Sequence, residues 1–151
     1  VPRQPALMDA RIFRAAPMDL RGDLIVTPLA DRYSYDPAQG TIFINFEHLT
    51  VRSQADIEAI RAAAEQHLLP LGRRVPAVVN YDHFSISPEL LDAYTEMVKG
   101  LEARFYTTVS RFTTNAFLRM KLGEAFHQHG MAPHMFGNEV EALERSLKDR
   151  D

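Results

Sequence analysis

Apolar and polar positions change rhythm several times along the chain, and each change predicts an element. Residues 41–46, TIFINF, alternate with period 2. Ile42, Ile44 and Phe46 fall on one face, Thr41, Phe43 and Asn45 on the other. Phe43 implies that the second face is also partly covered. Residues 31–35, DRYSY, are β-rich too, and Pro37 and Gly40 in the connection mark a hairpin. From Ser53 the period becomes helical: Ile57, Ile60, Ala64, Leu68 and Leu71 share a face. Ser53 and Asp56 suit its first turn, and Pro70 and Gly72 end it. VPAVVNY (75–81) is the short β-branched run of a strand covered on both faces. Ser87 as cap, Pro88 at the first position and Glu89 predict a second helix. Its core stripe is Leu90, Tyr94, Met97, Val98, Leu101 and Phe105. YTTVSRF (106–112) reads as a strand. Thr113 or Thr114 then caps a third helix carrying Phe117, Met120, Leu122, Ala125 and Phe126, stopping near Gly130. MAPHMF (131–136) is a short strand that Pro133 assigns to an edge. Asn138 with Glu141 opens a last helix bearing Val140, Leu143 and Leu147.

Strands separated by helices pair in parallel through right-handed crossovers. The expected fold is α/β: a mixed sheet of about five strands, a leading β-hairpin and four helices, in one domain over residues 31–151. The βα units recur, but no sequence repeat of 20–50 residues is expected. Residues 1–30 follow no period and carry Pro2, Pro5, Pro17 and Pro28. They predict an extended arm or linker. Its apolar residues Met8, Ile12, Phe13, Met18 and Leu20 need cover from the body or a partner, and a homo-oligomer formed through the arm would supply it. The chain starts at Val1 rather than Met, which reads as a piece of something longer.

Composition narrows the function classes. The 151 residues amount to about one domain. Seventeen Lys plus Arg against twenty Asp plus Glu give a net charge of −3, which argues against a general nucleic-acid binder. No apolar run approaches the ~20 residues of a membrane span. Cysteine is absent, which excludes thiolate chemistry, iron–sulfur clusters and disulfides and fits a reducing, cytoplasmic setting.

Candidate chemistry is sparse. His127 and His129 are two apart on a helix and cannot chelate one ion; His48, His67, His83 and His134 lie on different elements and converge only by folding. No HExxH is present, and no metal site is expected. Asp82 and Glu89 flank the loop 82–89 at the carboxyl end of the central strand, the edge that ligands favour in open α/β sheets. Asp82, His83 and Ser85 are too close in sequence for a catalytic relay, and GxSxG is missing, so no catalytic residue is expected. Ser85 and Ser87 fit an anion or phosphorylation site at a helix start, or Ser87 is simply a cap. Arg111, Thr113, Thr114 and Asn115, just before and at the third helix start, form the best anion pocket in the chain, with Arg119 and Lys121 beyond. No glycine-rich phosphate loop is present, and no cofactor is expected.

Two resemblances attach to these residues. The order of elements over residues 31–147, with VVNYDHFSIS (78–87) as central strand and Ser-containing loop, resembles the STAS fold of bacterial anti-sigma-factor antagonists and of sulfate-transporter cytoplasmic domains. The family's Asp-Ser-Ser-Gly is replaced here by Ser85, Ile86, Ser87 and Pro88. The run PALMDARIFRAAPMDLR (5–21) and the stretch from NYDHFSISPELLDAYTEMVKGLEARFYT to TTNAFLRMKLGEAF resemble the C-terminal extension of long acyl-CoA:acetate/3-ketoacid CoA-transferases. That resemblance implies a non-catalytic accessory or assembly domain, with upstream CoA-transferase domains of the same chain as its partners and the thioester-forming glutamate among them. The alternative is a regulatory ligand-sensing or phosphoswitch module that takes an acyl-CoA, a nucleotide or another anion.

Overall fold

The computed structural model describes residues 27–149 together with Phe13, Met18, Leu20 and Arg21. The expected course of residues 1–26 otherwise lies outside the described residues. A 3-10 turn, Leu29–Arg32, takes the start of the segment expected as strand. The antiparallel hairpin follows as β1 (Tyr33–Asp36) and β2 (Thr41–Asn45). Gly40, at φ 63, supplies the left-handed residue its turn requires.

Helix α1 (Gln54–Leu68) starts on a capping box: the Ser53 hydroxyl accepts from the Asp56 N–H while the Asp56 carboxylate accepts from the Ser53 N–H. A 3-10 turn, Leu69–Leu71, and left-handed Gly72 end it. Strand β4 (Val75–Asn80) leads to α2 (Leu91–Phe105), β6 (Tyr106–Phe112), α3 (Ala116–Gln128), β7 (Met135–Phe136) and α4 (Glu139–Asp149). The strands stand in the order β1-β2-β4-β6-β7, all parallel after the hairpin. Two short strands not foreseen from sequence, β3 (Thr50–Val51) and β5 (Ser85–Ile86), make a separate parallel pair.

Strands added one after another in the same direction by right-handed crossovers put every crossover helix on one face. The main core lies there: Ile42, Ile44, Val79 and Val109 meet Ile57, Ile60 and Leu68 of α1, Tyr94, Val98 and Leu101 of α2, and Leu122 and Phe126 of α3. The opposite face carries a smaller cluster in which Ala142 and Leu143 of α4, with Phe13 from the arm, cover Phe43, Val78 and Phe112. β6 bulges where Tyr106 pairs with Val75 and Val109 with Ala77. Pro76 sits opposite the extra residue; lacking an N–H, it cannot hold the ladder there.

Several expectations shift. The Ser87 side chain makes no cap: a 3-10 turn, Pro88–Leu90, intervenes before α2. Asn115, rather than Thr113 or Thr114, caps α3, its Oδ1 accepting from the Leu118 N–H at 3.0 Å. Only Met135 and Phe136 of MAPHMF form strand, because Pro133 has no donor and His134 turns left-handed at φ 43. Phe117, Met120 and Val140 face outward rather than inward.

Candidate functional site

The carboxyl ends of β2 and β4 run into two loops with the same sequence logic. Asn45-Phe46-Glu47-His48-Leu49-Thr50-Val51 matches Asn80-Tyr81-Asp82-His83-Phe84-Ser85-Ile86 position by position, 35 residues apart. This is a repeat that the sequence reading did not foresee. The structure repeats with it. Asn45 Oδ1 accepts from the Glu47 N–H at 3.1 Å, and Asn80 Oδ1 from the Asp82 N–H at 2.8 Å. Leu49 N–H returns to the Phe46 carbonyl and Phe84 N–H to the Tyr81 carbonyl, both at 3.1 Å. His48 and His83 sit left-handed at φ 61 and 57. Parallel pairing continues through the turns: His48 N–H donates to the Asp82 carbonyl, and Ser85 N–H to the Leu49 carbonyl. Asn80 Nδ2 donates to Asn45 Oδ1 at 3.1 Å and ties the two turns together. Buried Arg32 fixes the first loop by donating to the carbonyls of Asn45 and Glu47.

Of the residues expected to form an anion pocket, Thr113 and Thr114 turn their donors to the chain's own Asp82, Asn115 caps α3, and Arg111 lies elsewhere. Asp82 Oδ1 accepts from the Thr114 hydroxyl at 2.6 Å, the Thr114 N–H at 2.9 Å and the Thr113 hydroxyl at 3.3 Å. Partial burial pushes the Asp82 carboxyl up, but these bonds and nearby His83 outweigh it and hold it below the ordinary range. Asp82 thus anchors the second loop to the start of α3.

Arg111 departs from expectation most. It is 1% exposed and points into the main core, not toward the loop edge. Its guanidinium lies 4.2 Å from the Phe126 ring centre and donates to Glu102 Oε2 and the Pro133 carbonyl, each at 2.9 Å. Around it Tyr81 and Tyr94 share a 2.7 Å hydroxyl bond, and burial pushes both hydroxyls up, so they stay protonated. Ser85 is exposed, its hydroxyl donating to the Thr50 hydroxyl at 3.1 Å. Ser87 is half-buried, its N–H held by the Val51 carbonyl. Arg119 donates to the Thr113 carbonyl.

No protein-family model, curated protein or solved structure matches the chain.

Beside the loops an open groove of about 250 Å³ runs between residues 84–91 and α3. Phe84, Leu91, Phe117, Leu118 and Lys121 line it, together with Ser85 and Asn115. The His48 and His83 rings stack face to face, 4.7 Å between centres and 4° from parallel, with Glu47 alongside. From sequence the two histidines stand on different elements and meet only through folding. Aligning the two Asn-aromatic-acid-His turns would have placed both at equivalent positions of neighbouring parallel strands.

Proposed function

We propose that this chain is a non-catalytic accessory or assembly domain, of the STAS-like type, belonging to an acyl-CoA:acetate/3-ketoacid CoA-transferase. The observation that supports the reading is how the edge spends its polar groups. Asp82, the carboxylate best placed to act as a base, is committed to Thr113 and Thr114. Arg111, the expected anion ligand, is committed to Glu102 and Pro133. Ser85, the candidate nucleophile or phosphorylation site, donates to Thr50. A base needs a proton to take and a nucleophile needs a base within reach. Here Asp82 and Ser85 brace the loops, and Arg111 ties β6 to α2 and to the segment before β7, which suits a scaffold more than a reaction centre. The upstream transferase domains would then be the partner, and assembly the role.

The test is thioester exchange between acetate and an acyl-CoA. This chain alone is expected to give none. Exchange that scales with its concentration and survives repurification overturns the reading.

The groove beside Phe84 and Phe117 favours a second reading, a module that senses an acyl-CoA or another anion. An apolar trough with Lys121 on its wall suits an acyl or pantetheine arm ending in phosphate. A rise in melting midpoint with acyl-CoA, but not with inorganic phosphate, would favour this reading over the first.

A further inference from the structure

We propose that Glu47, His48 and His83 form a binding site for a first-row divalent cation of the zinc class, held between the two repeated turns. The three donor sets lie within 4.8 Å of one another. A tetrahedral ion takes imidazole nitrogen and carboxylate oxygen at about 2.0–2.2 Å, so its donors stand roughly 3.3–3.5 Å apart. The stacked rings hold their in-plane lone pairs parallel, so an ion is bound only when the imidazoles turn out of the stack toward it; both histidines are exposed and have room to turn, and Glu47 is half-buried beside them. Two imidazoles and one carboxylate are the donors that borderline metals prefer, and three protein ligands leave a position open to water or to a partner's side chain.

The backbone explains how adjacent residues can share one ion. Along a strand, neighbours point to opposite faces. The left-handed turn at His48 breaks that alternation, and His48 Nε2 comes to 3.9 Å from Glu47 Oε2. The matching turn at His83 brings its ring flat against that of His48. Asparagine meets a left-handed backbone as readily as histidine. Histidine at both equivalent positions adds two ligands facing each other across a sheet edge where α/β proteins bind ligands. The site is independent of the accessory-domain reading, since it needs nothing outside residues 47–83.

Titration of the zinc-free chain with zinc chloride, followed by calorimetry, tests this. One equivalent is expected to bind. E47Q, H48N and H83N should each weaken binding by about tenfold or more, because even residues that merely support a ligand are worth 10–100-fold. H127N, at an exposed histidine on α3, should bind like the parent. Asparagine keeps the left-handed turns, and circular dichroism verifies folding. Imidazole NMR of the unmutated chain gives a second readout: zinc should move the ring signals of His48 and His83 and leave those of the other four histidines in place. No stoichiometric zinc uptake, equal affinity in the three variants, or shifts centred on other histidines would each overturn the proposal.

Discussion

Arg111 illustrates what one side chain can hide from a sequence. Next to Thr113, Thr114 and Asn115 it reads as an anion ligand, yet strand alternation and the bulge earlier in β6 turn it into the core. Its charge there is balanced by Glu102, and its face by Phe126. Removing one member of such a pair leaves the other half-buried and unmatched. Arg111→Ala should therefore lower stability by about 3 kcal/mol, within the range for broken buried pairs. Arg111→Met leaves Glu102 unmatched as well but should cost less, because it keeps the packing on Phe126 that Ala loses. Urea denaturation of both variants checks the order, and equal stability of Arg111→Ala and the parent would show that the buried pair contributes nothing. Asp82 shows the converse: an acid at the loop edge itself takes the donors of Thr113 and Thr114.

At the scale of elements, periodicity makes the strands and helices legible and Pro133 marks the edge strand, while the starts of α2 and α3 and the extent of β7 differ from expectation. YTTVSRF matches β6 residue for residue, and Ser53 with Asp56 forms the expected capping box. The misread positions are those where competing local bonds decide. Thr113 and Thr114 were equally good caps until Asp82, distant in sequence, claimed them. Phe117 and Met120 fit a helical stripe, but α3 buries Leu122, Ala125 and Phe126, with Leu118 partly buried against the core. The 45–51 and 80–86 turns are legible as a repeat only at seven residues, too short to register as a repeated structural unit. Helix α2 buries Tyr94, Val98, Leu101 and Phe105 of the expected stripe, with Met97 partly buried and Leu90 in the turn before it, and Leu101→Ala should cost on the order of 2–5 kcal/mol. A loss below about 0.5 kcal/mol in chemical denaturation would contradict its buried place. The α2–α3 contact adds a pH dependence. His129 bonds Glu96 first and Asp92 second, and both raise its affinity for a proton. A folded-state value raised above the unfolded one gives stability that is fully present below about pH 6.5 and lost as pH rises through the folded value. His129→Gln should therefore lower the melting midpoint at pH 5.5 and change it little at pH 8.5. The same shift at both pH values would show that the pair does not act through charge.

For the whole molecule, strand order decides what the arm does. Three helices on one face leave the other to α4, which lies over β4 and β6. Phe43, on the β2 side, would meet water there. Phe13 fills that place: it is 6% exposed, with its ring 5.9 Å from that of Phe43 and 5.5 Å from that of Phe112. Its N–H donates to Glu139 Oε2 at the start of α4, which holds the arm to the helix that completes this face. The need for cover was legible in the arm's apolar residues, but the strand order that exposes Phe43 was not. Met18, by contrast, is 58% exposed, so the arm's apolar residues are not all spent on the body. Phe13→Ala should cost about 3–5 kcal/mol, the usual toll of emptying a buried aromatic site. Deleting residues 1–20 should leave the helical circular dichroism signal in place and uncover Phe43 and Phe112. An apolar patch so exposed drives association. Light scattering should then show a mass that rises with concentration. An unchanged melting midpoint in Phe13→Ala, together with a truncated chain that scatters as a monomer, would mean that the arm merely passes over the sheet.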